Sequence, residues 1–257
     1  MLGVYDSGLG GLTVLAAMRA AGIDQDIVYF ADQAHLPYGD KTDAEIDGFL
    51  RDNLGVLAEQ RIDAVITACN TTCAVAARLG WPETTFPILD LIATAGRSFV
   101  ATPHRRIAVL ATVATVRSGA YGRAIRAAAP QVEVFEIAAP RLVPIVEQGL
   151  AESGIAREAA AEIVARLPAG VDAIVYGCSH YPLLDRWFAA ALDVGIPRVD
   201  PADAQAAASA KLIAQLRLPR GTSTTAYYTN GDPHAFETAI RRWTGDTTGR
   251  VAALVAR

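Results

Sequence analysis

Two short segments of this chain each place a cysteine directly after an apolar run: Ala68-Cys69-Asn70-Thr71 and Gly177-Cys178-Ser179-His180. A thiol has an ordinary pKa of about 8.5, and a helix N-terminus or a nearby imidazolium lowers it, so one thiolate and one thiol can coexist at neutral pH. On opposite sides of one cleft, Cys69 and Cys178 would form an acid and base pair able to move a proton across a carbon atom. A single thiol after a strand is more often a packing residue, but two in matching contexts favour catalysis.

Polar side chains near these cysteines could assist them. His180 follows Cys178 closely and could polarise its thiol, while Asp6 could do the same near Cys69 or hold a substrate ammonium group. A zinc site is the alternative, with Cys69, Cys73, Cys178 and His180 as ligands. We expect no metal, because the Cys-x₃-Cys and Cys-x-His spacings lack the usual two-residue knuckle. Cys73 is therefore interpreted as a packing residue.

The segment from Asp6 to Thr13 is glycine-rich, follows a short strand and precedes a helical pattern. Backbone amides at such a helix N-terminus predict an anion site facing the cleft. The segment does not match the dinucleotide-binding fingerprint, because Thr13 occupies the position of its third glycine. A carboxylate is therefore a better candidate ligand than a pyrophosphate. A turn that needs glycine only for its backbone geometry is the alternative.

Cofactor chemistry can be tested by counting lysines, because pyridoxal phosphate forms a Schiff base with one. The chain has only Lys41 and Lys211, and neither lies in a setting that suggests this role, although Lys41 follows a predicted binding loop. We therefore expect no cofactor.

Composition excludes several functional classes. The 257 residues carry a formal net charge of −4 and no dense run of Lys or Arg, so we expect no nucleic-acid partner. Every apolar run is broken well short of the roughly 18 residues that span a bilayer, so we expect no membrane role. Three cysteines and no secretory signal pattern predict free thiols and a cytoplasmic location.

Short runs rich in Val and Ile alternate with helical patterns, which predicts an α/β fold of two similar α/β lobes with mainly parallel sheets. The expected lobes are 1–92 with 208–257, and 93–207, with crossings at 92–103 and 197–203 and the active site in the inter-lobe cleft. The expected strands lie at 3–5, 27–30, 64–67, 107–110, 132–137 and 173–176, and helices are predicted around 46–57, 163–167 and 233–243.

Together these motifs resemble those of glutamate racemases, within the cofactor-independent aspartate/glutamate racemase superfamily, over nearly the whole chain. Individually several motifs are weak, but in this order they are specific. The resemblance is carried by Val4 to Thr13, Tyr29 to Asp32, Pro37 to Lys41, Ala68 to Thr71, Ala111-Thr112 with Thr115, Ser118 to Tyr121, Val143 to Glu147, Gly177-Cys178, and His180 to Leu184.

The resemblance implies that Cys69 and Cys178 transfer the protons, one deprotonating each enantiomer while the other reprotonates the opposite face. It implies Asp6, Glu147 and His180 as auxiliary acid/base residues. The implied substrate-binding residues are Asp6, Ser7, Tyr38, Gly39, Asn70, Thr71, Thr112, Thr115, Ser179 and His180.

The implied activity is interconversion of L- and D-glutamate, which supplies D-glutamate for peptidoglycan synthesis. Ser179 replaces the family's usual threonine, and Asp90 lies in a segment that departs from the family pattern. A racemase acting on aspartate or another amino acid, or a catalytically silent ligand-binding relative, is the alternative. Family members are often dimers, so we expect a homodimer whose interface uses apolar surface near Leu12 or Leu142.

Overall fold

The computed structural model describes residues 1–254, and its strands form two sheets whose paired strands run parallel. The first sheet has the order β10-β9-β2-β1-β3-β4 and the second β6-β5-β7-β8. The first contains β1 (Leu2–Asp6), β2 (Ile27–Ala31), β3 (Ala64–Thr67), β4 (Ile88–Leu89), β9 (Thr225–Thr229) and β10 (Val251–Ala253). The second contains β5 (Arg106–Ala111), β6 (Glu133–Ala138), β7 (Ala173–Gly177) and β8 (Arg198–Val199).

Helices connect these strands and cover the sheets. They are α1 (Leu12–Ala20), α2 (Asp43–Glu59), α3 (Asn70–Leu79), α4 (Leu91–Ser98), α5 (Val113–Ser118), α6 (Ala120–Ala128), α7 (Leu142–Glu147), α8 (Gly154–Val164), α9 (Asp185–Ala191), α10 (Pro201–Leu216) and α11 (Pro233–Thr244). Short 3₁₀ turns lie at Gln33–His35, Tyr38–Asp40 and Tyr181–Leu184. None of the helices described in 1–254 is long and apolar enough to cross a membrane.

Local sequence signals explain where several helices begin. Thr42 and Glu45 form a capping box at the start of α2, each side chain bonding the other's backbone amide. Asp232 accepts hydrogen bonds from the amides of His234 and Ala235, and Pro233 is the first residue of α11. Asp90, which departs from the family pattern, caps α4 by accepting from the Ala93 amide at 2.9 Å. The predicted helices within α2 and α11 are confirmed.

The α/β fold with parallel sheets is confirmed, and each predicted strand coincides with an observed one within one or two residues. The prediction missed β4, β8, β9 and β10. Two of these are only two residues long, which is too short for a hydrophobic pattern. The run Thr225–Thr229 is rich in Thr and Tyr, residues that favour strands, and this signal could have identified β9.

The chain leaves the first sheet after β4 and returns to it after β8, through α4 and α10. These two helices pack on each other, α10 also packs on α1, and α4 also packs on α6. Together, α4 and α10 therefore contact helices that flank the first sheet and helices that flank the second. The lobe boundaries 1–92 with 208–257, and 93–207, stay a prediction.

The expected self-interface lies near Leu12 or Leu142. Both of these side chains are fully buried in the core of this chain, where they pack α1 and α7 against their neighbours. An interface there would use more accessible residues of the same helices, and it stays a prediction.

Candidate active site

A small cavity lies between the carboxyl ends of the two sheets, where open α/β folds place their ligands. It is tight, with room for about one water molecule. Its lining residues are Ser7, Leu36, Tyr38, Gly39, Cys69, Asn70, Thr71, Thr112, Val143, Cys178, Ser179 and His180. Sequence reasoning gave no role to Leu36 or Val143, whose apolar side chains carry no chemical signal. Asp6, Thr115 and Glu147 lie behind this lining, in contact with residues that form it.

Cys69 lies at the junction of β3 and α3, at the N-cap position of the helix. Its thiol is 3.5 Å from the Ser7 hydroxyl. Burial, reinforced by the nearby Asp6 charge, raises the pKa of Cys69 to about 11, although hydrogen bonds with Thr72 and Ser7 oppose this effect. Cys69 therefore carries its proton at neutral pH.

Cys178 follows the last residue of β7 and is almost fully buried. Its sulfur lies 3.8 Å from Nδ1 of His180. The β5 and β7 strands pair in register from Ile107 to Ala111, which places Cys178 beside Thr112 at the same sheet edge. Both cysteines line one cavity, as the sequence predicted, and each reaches it from a different sheet.

His180 and Glu147 form a buried ion pair beside Cys178, with Nε2 of His180 2.5 Å from Oε1 of Glu147. Burial alone would lower the pKa of His180, but its hydrogen bonds with Cys178 and Glu147 and its charge interactions with them raise it well above the ordinary value. Burial likewise opposes ionisation of Glu147, yet the bond and charge of His180 hold the pKa of Glu147 below its ordinary value. The pair is therefore an imidazolium and a carboxylate.

Asp6 is fully buried at the end of β1 and faces the second sheet. Its Oδ1 accepts from the Ser179 hydroxyl at 3.2 Å, and its Oδ2 accepts from the amides of Gly8 and Gly11 at 3.1 and 3.0 Å. Burial raises the pKa of Asp6, against the lowering effects of the His180 charge and of the two amides. Asp6 thus connects the glycine loop to the Cys178 segment.

The anion site expected at the glycine loop is wrong in this form. Asp6 already accepts from Gly8 and Gly11, and the Leu9 amide donates to Glu147 at 3.0 Å. Two carboxylates of the protein therefore occupy the donors that a substrate carboxylate was expected to use. The predicted donors and the predicted acids were both present in the sequence, but their mutual pairing was not visible there.

Close approach explains the glycines of this loop. A Cβ atom on Gly10 would collide with the His180 ring and lie 2.6 Å from the Ser179 hydroxyl, and one on Gly8 would collide with the Glu147 carboxylate. Glycine is required because the loop packs directly on the imidazolium and carboxylate. This agrees with the alternative interpretation, in which the glycines serve the backbone geometry of the turn.

Three threonine hydroxyls join the two halves of the site. Thr71 and Thr112 lie across the cavity with their Oγ1 atoms 2.9 Å apart, and Thr112 donates to Thr115 at 3.0 Å. Thr115 is fully buried behind Thr112 and contacts the cavity lining rather than the cavity. It holds the two lining threonines in place.

Sequence reasoning missed a buried polar cluster behind Tyr38. The Tyr38 hydroxyl donates to Asp32, which also accepts from Asn53 at 2.9 Å and from Asn230 at 2.5 Å. The Tyr5 hydroxyl lies 2.9 Å from that of Tyr38. Asp32 directly follows β2 at the functional edge of the sheet, and this position was the signal that could have identified it.

The four ligands of the zinc alternative do not converge. Cys73 is buried among apolar residues that include Leu91 and Ile92, with its sulfur 3.1 Å from the Thr67 hydroxyl, and it is absent from the cavity lining. Across residues 1–254, no group of three or more His, Cys, Asp or Glu side chains is placed to hold a metal ion. Cys73 is a packing residue, as predicted.

Comparisons with known proteins agree with this geometry. The family model for Asp/Glu/Hydantoin racemases matches residues 13–209. Over 247 residues the chain is 41% identical to a glutamate racemase from Gloeobacter violaceus, covering 95% of this chain and 92% of that protein. The solved structure of glutamate racemase from Thermus thermophilus in complex with beta-chloro-D-alanine has a TM-score of 0.85 and 32% identity, covering 98% of this chain and 96% of that one. That of Francisella tularensis glutamate racemase in complex with D-glutamate has a TM-score of 0.89 and 26% identity, with coverage of 99% and 97%.

Proposed function

The chain belongs to the Asp/Glu/Hydantoin racemase family, and we propose that it interconverts L- and D-glutamate by a two-thiol mechanism without a cofactor, supplying D-glutamate for peptidoglycan synthesis. The observation that carries the proposed mechanism is the single closed cavity into which Cys69 and Cys178 reach from different sheets. A glutamate α-carbon between two such sulfur atoms can lose a proton on one face and gain one on the other.

The proposed reaction begins with one cysteine as a thiolate and the other as a thiol. The thiolate sulfur takes the α-proton, and the electron pair of the broken C–H bond stays on the α-carbon and spreads into its carboxylate. The opposite thiol then delivers its proton to the other face, which inverts the centre and leaves the two sulfurs with exchanged protonation states. The reverse reaction follows the same path, so the enzyme needs no external acid or base.

The two thiols have different surroundings. Burial, together with the nearby Asp6 charge, raises the pKa of Cys69. The sulfur of Cys178 lies 3.8 Å from Nδ1 of His180. The proposed reaction therefore starts with Cys69 as the thiol that donates its proton.

Short polar side chains around the cavity are proposed to bind the substrate and its carbanion. Ser7, Asn70 and Thr71 come from the first-sheet side, and Thr112 and Ser179 from the second. Donors fixed in a water-poor site stabilise developing negative charge far better than mobile solvent does. Because the cavity has room for about one water molecule, the two sides must separate to admit glutamate and close again for catalysis.

The test is proton NMR of the purified protein with L-glutamate in D₂O and no added cofactor, followed by an enantiomer-specific assay. Loss of the α-proton signal with accumulation of D-glutamate is the expected result. If L-aspartate exchanges and glutamate does not, the substrate assignment is wrong. If neither exchanges, the chain is better explained as a ligand-binding relative.

Cysteine variants test the two-thiol mechanism in the same assay. Cys69→Ser and Cys178→Ser should each abolish racemisation, because a serine hydroxyl is far too weak an acid to replace a thiol. Cys73→Ser is the matched control, since this buried cysteine lies outside the cavity lining and should leave racemisation largely intact. Unchanged turnover in Cys178→Ser would contradict the mechanism.

The resemblance to glutamate racemases also supports a homodimer acting in the cytoplasm, where D-glutamate enters peptidoglycan precursors. Light scattering at working concentration tests the oligomeric state, and a monomer would contradict this part of the proposal.

A further inference from the structure

A tyrosine on the second-sheet side reaches across to the residue that follows Cys69. Tyr121, on α6, is fully buried, and its hydroxyl donates to Oδ1 of Asn70 at 2.5 Å. Asn70 is the first residue of α3 and lines the cavity. Tyr121 itself is not in the lining, so any effect on substrate must pass through Asn70.

The hydrogen bond fixes which end of the Asn70 amide faces the cavity. An asparagine side chain carries an accepting oxygen on one arm and a donating NH₂ group on the other. Because Tyr121 binds the oxygen, the NH₂ group occupies the other arm. Within residues 1–254, Nδ2 of Asn70 makes no hydrogen bond. It is also not one of the side-chain atoms that are both fully buried and without a hydrogen-bond partner, so part of its surface is accessible. It is therefore open to the cavity.

The surroundings of Tyr121 keep it a donor. Its ring packs in an apolar cluster with Cys73, Leu91 and Ile92. Burial raises the pKa of Tyr121 well above its ordinary value, and the neighbouring Cys73, Asp200 and Asp90 add to this effect. The phenol therefore keeps its proton throughout the working pH range, and its preferred partner on Asn70 is the oxygen.

We propose that Tyr121 is a positioning residue that holds the Asn70 carboxamide with its NH₂ group directed at a carboxylate of the substrate, beside Cys69. Without the phenol the amide can rotate and present its oxygen, which repels a carboxylate. This role deepens, and rests on, the racemase activity proposed above.

The first experiment compares Tyr121→Phe with a matched control, Tyr227→Phe. Both substitutions delete only a buried hydroxyl, and Tyr227 also bonds a side-chain oxygen, that of Asp246 at 3.1 Å, but it lies outside the cavity lining. Steady-state racemisation and thermal denaturation are measured for both. We expect Tyr121→Phe to lose about tenfold or more in kcat/KM, and Tyr227→Phe to lose stability with little change in kinetics.

A double-mutant cycle separates positioning from simple packing. In an Asn70→Ala background, Tyr121→Phe should cost no further activity, because there is no amide left to orient. Asn70→Asp keeps an acceptor for Tyr121 but removes the donor, so it should be at least as impaired as Asn70→Ala. If the losses of Tyr121→Phe and Asn70→Ala multiply, or Tyr121→Phe matches Tyr227→Phe, the proposal is overturned.

Wild-type measurements separate this proposal from the proposed function. If the wild type racemises glutamate and the Tyr121→Phe kinetics are unchanged, the positioning role fails and the enzyme assignment stands. If the wild type binds D-glutamate in calorimetry without racemising it, the assignment fails, and the same variants tested for D-glutamate affinity decide the role of Tyr121. If the wild type does neither, both proposals are overturned.

Discussion

The hydroxyl of Tyr38 donates to the buried carboxylate of Asp32. Tyr38 lines the cavity and Asp32 does not, so this bond fixes a lining residue from behind. Tyr38 packs in one apolar cluster with Cys69, and Gly39 beside it lies against Thr112. The Asp32 amide also donates to the backbone oxygen of Asp6 at 3.0 Å. Asp32 therefore connects Tyr38, which lines the cavity, with Asp6, which lies behind the lining.

Asp32→Asn should weaken substrate binding more than it weakens folding. An amide at this position has a single accepting oxygen, so Tyr38 and the Asn53 and Asn230 amides cannot all be satisfied. A wall displaced by a fraction of an ångström is expected to raise KM and lower kcat/KM by about tenfold or more. Steady-state racemisation in both directions measures the effect.

Asp26→Asn is the control for this prediction. Asp26 precedes β2 at the opposite end of the strand and also accepts several hydrogen bonds, from the amides and hydroxyls of Thr222 and Thr224. This variant should lose stability while its KM stays near the wild-type value. Equal kinetic losses in both variants would show that Asp32 acts only through general stability.

Glu147→Gln should narrow the pH range of activity from the alkaline side. In the wild type the Glu147 charge helps to raise the pKa of His180, so its removal lowers that pKa and His180 loses its proton at a lower pH. The alkaline limb of the kcat/KM profile should move to lower pH, with a loss at the optimum on the order of tenfold to a hundredfold. Because the two enantiomers have equal free energy, kcat/KM must fall equally in both directions.

Glu162→Gln provides the matched control, since Glu162 pairs with Arg141 on the exposed surface. Its pH profile should superimpose on that of the wild type. A Glu147→Gln profile with an unshifted alkaline limb would show that His180 does not depend on Glu147 for its charge.

Gly10→Ala should disable the site by steric contact. The added Cβ would collide with the His180 ring and crowd the Ser179 hydroxyl, so either the loop or the imidazolium must move. We expect loss of most activity together with a lower melting temperature. Gly55→Ala is the control, because this exposed glycine lies inside α2 with open space around its Cβ position, and alanine there should stabilise the protein by about 0.5–1 kcal/mol. Wild-type turnover in Gly10→Ala would contradict the packing assigned to the loop.

Sequence analysis predicted the site residues that can be identified by their position after a strand. It missed the interactions that depend on how side chains pair. Cys69 and Cys178 follow β3 and β7, and this placement alone predicted that they lie at the carboxyl ends of the strands and face one cleft. By contrast, the pairing of Asp6 and Glu147 with loop amides joins distant residues in ways that no local pattern encodes. Tyr121 was missed as a supporting residue for the same reason, whereas the position of Asp32 directly after β2 could have identified it.

Asp200→Asn should stabilise the protein at neutral pH and not at pH 4. Asp200 caps α10 through the Ala202 amide at 2.9 Å, and burial, helped by the charges of Asp203 and Asp185, raises the pKa of Asp200 to about 6. The unfolded chain titrates near its ordinary value of about 3.9, so between these values the folded state binds the proton more tightly. The contribution of this group to stability is thus complete below about pH 4 and is lost as the pH rises through 6.

Asparagine keeps the cap but has no charge to bury, so the melting-temperature difference between Asp200→Asn and wild type should grow from near zero at pH 4 to about 2 °C or more above pH 6. Calorimetry at intervals between pH 4 and pH 8 measures this difference. Asp203→Asn serves as the control, because this exposed carboxylate in the first turn of the same helix interacts favourably with the helix dipole, and its loss should slightly destabilise the protein at neutral pH. The prediction is wrong if the melting-temperature difference between Asp200→Asn and wild type stays constant from pH 4 to pH 8. The Asp200 carboxyl would then have the same pKa in the folded and unfolded states, and its burial would not disfavour the charged form.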